Sequence, residues 1–349
     1  MKILWKFLAK RFTANLLLVL AVVCGVIFAT AFMQEIASSP FLAAADAAFS
    51  HFLEMLPMFL PLVAFMGTLL TFYRLLISSE LVIIQSSGLS AYEIMRPMLL
   101  ISAIFGALTA AAVNPLATRY NRMELKNSRI ERIDGAVWLR EKIKNGSVVI
   151  RAVEMENSEK GGLALIGATF LKQDESFRIT QRASADKMIL EDGNLSAKNA
   201  LILDSKGVET RRDFKAPTSL TRENIIKQYL KPNQVSFWDL PEFIRTLRSM
   251  GAPTASHVLQ FLSLLFLPLV LISMTVLGVL FSQTKQRRNF SFTRQFGLGI
   301  ITCFVVYFTI QIFNAMGSSG AMIPVLAVFF PPAIVLFFSA TAIMKYDSI

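Results

Sequence analysis

The chain has 349 residues, 54% of them hydrophobic and only 17% charged, with a mean hydropathy of +0.53, a make-up that excludes an ordinary soluble globular protein. The net charge of +11 raises nucleic acid as a partner. However, residues 117–256 hold 24 basic and 18 acidic side chains with no basic stripe interleaved with aromatics, so nucleic acid is set aside.

A bilayer core of about 30 Å takes roughly 20 apolar residues in a helix. Six uncharged runs meet that length: 12–33, 55–73, 98–116, 258–281, 296–313 and 323–344. The first is too long for a signal-peptide core, and Gln34-Glu35-Ile36-Ala37 offers no small-residue cleavage site, so it reads as a retained helix. Lys2, Lys6, Lys10 and Arg11 precede it; Lys285, Arg287, Arg288 and Arg294 separate the fourth and fifth runs; Lys345 follows the sixth. Lys and Arg beside short loops stay in the cytoplasm, which places both termini inside. The loop with Glu35, Asp46 and Glu54 and the uncharged turn 314–322 then lie outside. The only cysteines, Cys24 and Cys303, fall within apolar runs, where no disulfide is expected. His51 and His257 stand apart, without the cluster a metal needs, so no metal is expected.

Between the second and third runs, residues 78–88 (Ser-Ser-Glu-Leu-Val-Ile-Ile-Gln-Ser-Ser-Gly) form a segment too apolar for a free loop and too short to span. Serines before it and Gly88 after it suit the ends of a short helix docked on membrane or protein. Glu80 falls in its first turn, where the helix dipole favours a carboxylate by about 0.3–1 kcal/mol; it is also placed to anchor a basic side chain of a cytoplasmic partner. After the third run, Arg119, Arg122, Lys126 and Arg129 recur at helical spacing along one face. They read either as side chains reaching lipid headgroups or as a phosphate-binding face, Arg bidentate and Lys as a point charge.

Residues 117–256 shift to polar composition over a length sufficient for an inserted domain. Short β-type segments at 136–141, 147–153, 163–171, 177–182, 187–190, 197–203 and 208–214 are separated by Asn145-Gly146, Gly161-Gly162, Asp192-Gly193-Asn194 and Lys206-Gly207. This pattern predicts an antiparallel all-β sandwich or jelly roll. The insert closes with an amphipathic helix: Ser236 as cap, Asp239 in the first turn, Leu240, Phe243, Ile244 and Leu247 on one face, and Gly251 and Pro253 beyond its end. It is a core helix of the domain or an interfacial one, for which Trp238 suits the depth.

No phosphate loop, zinc-protease motif or nucleophile turn occurs. The six runs carry no ionisable residue of the kind ion-coupled carriers place in the bilayer. The chain therefore reads as no enzyme, and active transport would draw its energy from a partner.

The run Ser79-Glu80-Leu81-Val82 to Ser87-Gly88 resembles the coupling helix of the lipopolysaccharide export permease family, and the three-plus-three helices around a β domain are similar to that family over nearly the whole chain. The G-type branch is favoured by Pro232-Asn233-Gln234-Val235-Ser236, by the basic helix Phe243-Ile244-Arg245-Thr246-Leu247-Arg248, and by Pro268-Leu269 to Gly278. The resemblance implies a polytopic inner-membrane protein of six helices: 1–116 with the coupling helix, a periplasmic jelly-roll-like domain at 117–256, and 257–349. It further implies an F-type paralogue as partner, a separate ABC ATPase dimer that uses the ATP, and a periplasmic bridge protein that receives the lipid. No cofactor of its own is expected.

Residue by residue, the resemblance assigns ATPase coupling to Glu80 and Leu81, and lipid-phosphate contacts to Arg119, Arg122 and Lys126. Phe28, Phe32, Phe304 and Phe308, with Ile312, would accommodate acyl chains. Similar G-type subunits carry a lysine near the outer end of the first helix, whereas Ala31-Phe32-Met33-Gln34-Glu35 stands there. Prolines 57, 61, 268, 331 and 332 are candidate bends. The alternative from the residues alone is a non-transporting scaffold or sensor whose outer β domain binds a ligand.

Overall fold

The computed structural model describes residues 2–36, 40–127, 133–143, 146–157, 162–174, 176, 178–191, 193–204, 208–218, 232–249, 253–282 and 292–347. Residue contacts divide the chain into a helical unit (Met1–Thr118, Ser236–Trp238 and Ala255–Ile349) and a β-rich unit (Arg119–Val235 and Asp239–Thr254).

In the helical unit, α1 (Lys2–Glu35) begins well before the expected residue 12, because Lys6, Lys10 and Arg11 are good helix formers and nothing breaks the ladder ahead of the apolar run. α2 (Phe41–Ile77) likewise absorbs the alanine-rich stretch after Pro40, and Pro57 and Pro61 lie inside one continuous helix. α3 (Glu80–Ser86) is the short segment between the second and third spans. α4 (Ala91–Leu108) opens on a capping box in which the Ser90 hydroxyl accepts the Glu93 N–H and Glu93 accepts the Ser90 N–H.

The third span then changes pitch. A π turn, Thr109–Val113, joins α4 to α5 (Asn114–Asn127). Pro115 supplies the reason: it lacks the N–H that would bond the Ala111 carbonyl, and its ring crowds the preceding turn. The Ala111 carbonyl instead accepts the indole Nε1–H of Trp238 at 3.0 Å, while the Asn114 side chain accepts the Phe237 N–H at 2.8 Å. Phe237 also stacks on Phe261.

The fourth span is two helices, α7 (Ala255–Leu265) and α8 (Leu267–Ser282), bent by 54° at Phe266, two residues before Pro268. Gly106 of α4 makes room for this bend, since a Cβ there would sit 2.7 Å from the Pro268 Cα. α8 is apolar on all sides and packs on α2, α4 and the last helix, Pro324–Asp347, as a helix without a polar face must. Small residues bring it close: a Cβ on Gly278 would meet Thr68 at 2.8 Å, and Ser102 and Thr275 share a buried 2.7 Å hydrogen bond. α9 (Phe292–Ser318) and α10 (Pro324–Asp347) complete the unit, with Pro331 and Pro332 inside α10. Among the described residues, five helices are long and apolar enough to cross a membrane, six with α7 and α8 taken as one bent span.

The β-rich unit contains one six-stranded antiparallel sheet in the order β1 (Ile133–Ile143), β2 (Gly146–Asn157), β3 (Leu163–Gln173), β4 (Ile179–Glu191), β5 (Asn194–Asp204) and β6 (Glu209–Pro217). The inserted all-β domain is thus present, with neighbours in the sheet also neighbours in sequence. The expected segments 177–182 and 187–190 fuse into β4, because no Gly or Pro interrupts residues 183–186, and Ala183 and Ser184 pair with the strands on both sides.

Its core explains the imperfect alternation. Buried residues run Val148, Ile150, Ala152, then Met155 on β2; Leu163, Leu165, then Ala168, Phe170 on β3; Leu195, Ala197, then Ala200, Ile202 on β5. A skip of three would send a regular strand's side chains to the opposite face. All of these nevertheless share one cluster, so each strand turns over at the same row. Gly167 and Asn199 mark that row with φ of +60° and +54°. α6 (Leu240–Ser249) follows the sheet, burying Leu240, Phe243, Ile244 and Leu247 along one stripe.

Candidate functional site

α3 hangs between two sharp reversals, Ser79 at φ +57° and Gly88 at φ +81°, which lay it across the ends of α2 and α4 rather than continuing either. Leu81 and Ile84 are buried among Leu8, Phe12, Leu75, Ile94 and Met98, while Val82 and Ile83 are exposed. Leu81, expected to take part in coupling, is 4% exposed and is the inward anchor of the helix. The outward apolar face of α3 is Val82 and Ile83.

Glu80 starts α3, as its sequence position suggests, and its Oε1 accepts a hydrogen bond from Arg11 Nη2 of α1 at 3.2 Å. Its Oε2 is buried without a hydrogen-bond partner among the described residues. Close by in sequence to both partners, Arg74 donates to the Asn15 side chain at 2.6 Å, and the Asn15 amide donates to Thr71 Oγ1 at 3.1 Å. Asn15 is 1% exposed, deep in an otherwise apolar packing. α1, α2 and α3 are therefore joined by polar bonds at the ends that carry Arg11, Arg74 and Glu80. Arg11 was read from sequence only for orientation, and Asn15 and Arg74 were not singled out, since neither stands in a motif.

The second candidate group lies on α5. Arg119 is exposed, and α5 continues through Arg122 and Lys126 to Asn127, so the three share a continuous helix. The side chains of Arg122 and Lys126, and all of Arg129, lie outside the described residues.

The third group forms two ring ladders. Phe28 stacks on Phe32, which meets Phe41 edge-on. On α9, Phe304 stacks on Phe308, which meets Tyr307. Phe304, Phe308 and Ile312 are exposed at 44%, 59% and 60%. α1 packs on α2 and α4, and α9 packs on α10, α8, α7 and α2. The two ladders consequently stand on separate helices of the bundle, both open to an apolar medium or to another chain.

A profile of the family described as lipopolysaccharide export system permease LptF/LptG matches residues 6–345. The lipopolysaccharide export system permease protein LptG of Escherichia coli strain K12 is 22% identical over 296 residues, covering 82% of this chain and 81% of that protein. The LptG of Escherichia coli O6:H1 strain CFT073 matches to the same extent.

Proposed function

Since the chain belongs to the lipopolysaccharide export permease family LptF/LptG, as a membrane permease subunit of that export system, we propose that it is the G-type half of the transporter, paired with an F-type paralogue above a separate ABC ATPase dimer. It extracts lipopolysaccharide from the inner membrane and passes it to a periplasmic bridge protein. Both termini lie in the cytoplasm, and ATP is bound and hydrolysed by the partner rather than by this chain. The observation that carries this reading is the family match across residues 6–345, which spans both helical halves and the inserted sheet. The similarity to LptG favours the G-type assignment.

Work passes through α3. ATP-driven closure of the partner dimer displaces a helix whose inward side chains, Leu81 and Ile84, are packed into the bundle, and whose Glu80 is bonded to α1. Val82, Ile83 and the carboxylate of Glu80 receive the ATPase, and the bundle follows as a packed body. On the outer side, Arg119, Arg122 and Lys126 meet lipid phosphates, while the Phe28–Phe32 and Phe304–Phe308 ladders line the acyl path. Ala31-Phe32-Met33-Gln34-Glu35 stands near the outer end of the first helix, where similar subunits carry a lysine, so the phosphate contacts fall to α5.

Affinity purification of the full chain in mild detergent, with identification of bound proteins and lipid, tests the proposal. Recovery of an ABC ATPase, a second permease of the same family and lipopolysaccharide is the expected result. Recovery of the chain without any ATPase would overturn it.

A further inference from the structure

Between the first turns of α1 and α4 lies a cavity of about 380 Å³ that the export cycle leaves unused. Leu4, Leu8 and Leu89 give it apolar walls, and Trp5, Lys6 and Arg96 stand exposed around it. From this arrangement we infer a binding site for an anionic diacyl phospholipid of the inner leaflet, with phosphatidylglycerol as its ligand. The inference goes beyond lipopolysaccharide export and rests on the proposed reading only for which leaflet this end of the bundle faces.

The charges at the cavity are available. Among the described residues neither Lys6 nor Arg96 has a carboxylate within 4.0 Å. Arg96 lies over the Tyr92 ring at 4.6 Å, which orients the guanidinium without neutralising it. The one acid lining the cavity, Glu93, is committed to the cap of α4, accepting the Ser90 N–H at 3.2 Å. A water-soluble anion would gain nothing from the leucine walls, an uncharged lipid would leave the two cations unused, and a zwitterionic phospholipid would bring its own ammonium against them. A phospholipid uses both: its phosphate meets Lys6 and Arg96, its glycerol lies beside Trp5, and the first methylenes of its chains cover Leu4, Leu8 and Leu89. The cavity stands at the end of α1 that carries Lys2, Lys10 and Arg11, where a headgroup lies.

The full chain in its purified complex, titrated in detergent with phosphatidylglycerol or phosphatidylcholine, is read by native mass spectrometry. Wild type is expected to retain phosphatidylglycerol in preference to phosphatidylcholine. The Lys6→Gln/Arg96→Gln variant should lose retention on the order of tenfold. Arg96→Lys, and Lys10→Gln outside the cavity, should keep it. Equal retention of both lipids, an unchanged double variant, an equal loss in Lys10→Gln, or displacement of phosphatidylglycerol by added lipopolysaccharide would each overturn the site. Lipopolysaccharide and ATPase recovered in the same wild-type samples report on the export reading separately.

Discussion

At the scale of single residues, the Arg11–Glu80 contact separates stability from coupling. Its partners are 46% and 30% exposed, so the pair contributes only about 0.2–1 kcal/mol to folding. Its effect is positional: the carboxylate that begins α3 is held in one orientation by a side chain of α1. Arg11→Ala should leave thermal unfolding in detergent almost unchanged while lowering recovery of the ATPase, as Glu80→Ala should too. The reciprocal exchange Arg11→Glu with Glu80→Arg restores the pair but reverses the charge offered to the partner; co-purification should stay low. Full recovery in the exchanged variant would make Glu80 an internal latch rather than a coupling contact. Glu80 was legible in the sequence because a carboxylate at a helix start has a local cause. Arg11 was not, since it lies 69 residues away and only packing brings it near. Leu81 and Val82 are alike in composition, and which of them faces inward depends on the reversal at Ser79, where a non-glycine residue adopts positive φ without any sequence cue.

Among the elements, the third span shows how a local rule and its tertiary consequence divide. Hydropathy located the span and Pro115 was visible at its end, yet the π turn and its partner were not. An exposed Trp238 read from sequence only as a membrane-interface residue, whereas its indole donates to the carbonyl whose helical donor Pro115 removes. Trp238→Phe keeps an aromatic side chain, smaller than the indole, and loses that donor. It should cost about 0.5–1.5 kcal/mol, measured by thermal unfolding, and speed hydrogen exchange around Thr109–Val113. Gly106→Leu should cost more, about 1–3 kcal/mol or misassembly of the fourth span, because the obstruction is the Pro268 backbone rather than a movable side chain. The strands follow the same division. Turn formers marked most strand ends, but the row of Gly167 and Asn199 reverses the facing of strands midway, so alternation read along one strand fails where the neighbouring strands also turn over.

For the whole molecule, exposure is uneven among the spans. In the most apolar stretch of α2, 56% of residues are buried, against 17% in α1 and 11% in α9. Lipid alone could cover those two helices, so their exposure does not by itself demonstrate a partner or a cargo. The ring ladders supply a test, because α10 bears another exposed aromatic pair, Phe337 and Phe338 at 68% and 67%, which belongs to neither ladder. A photoreactive phenylalanine analogue placed in turn at 28, 304 and 308 should capture lipopolysaccharide several-fold more than the same analogue at 337 and 338, which should capture phospholipid. Capture at 28, 304 and 308 should also depend on ATPase activity, falling when the partner's hydrolysis is blocked, whereas bulk-lipid capture has no reason to change. Equal yields at all five positions would return both ladders to ordinary lipid-facing surface and leave α5 as the only cargo contact to be tried.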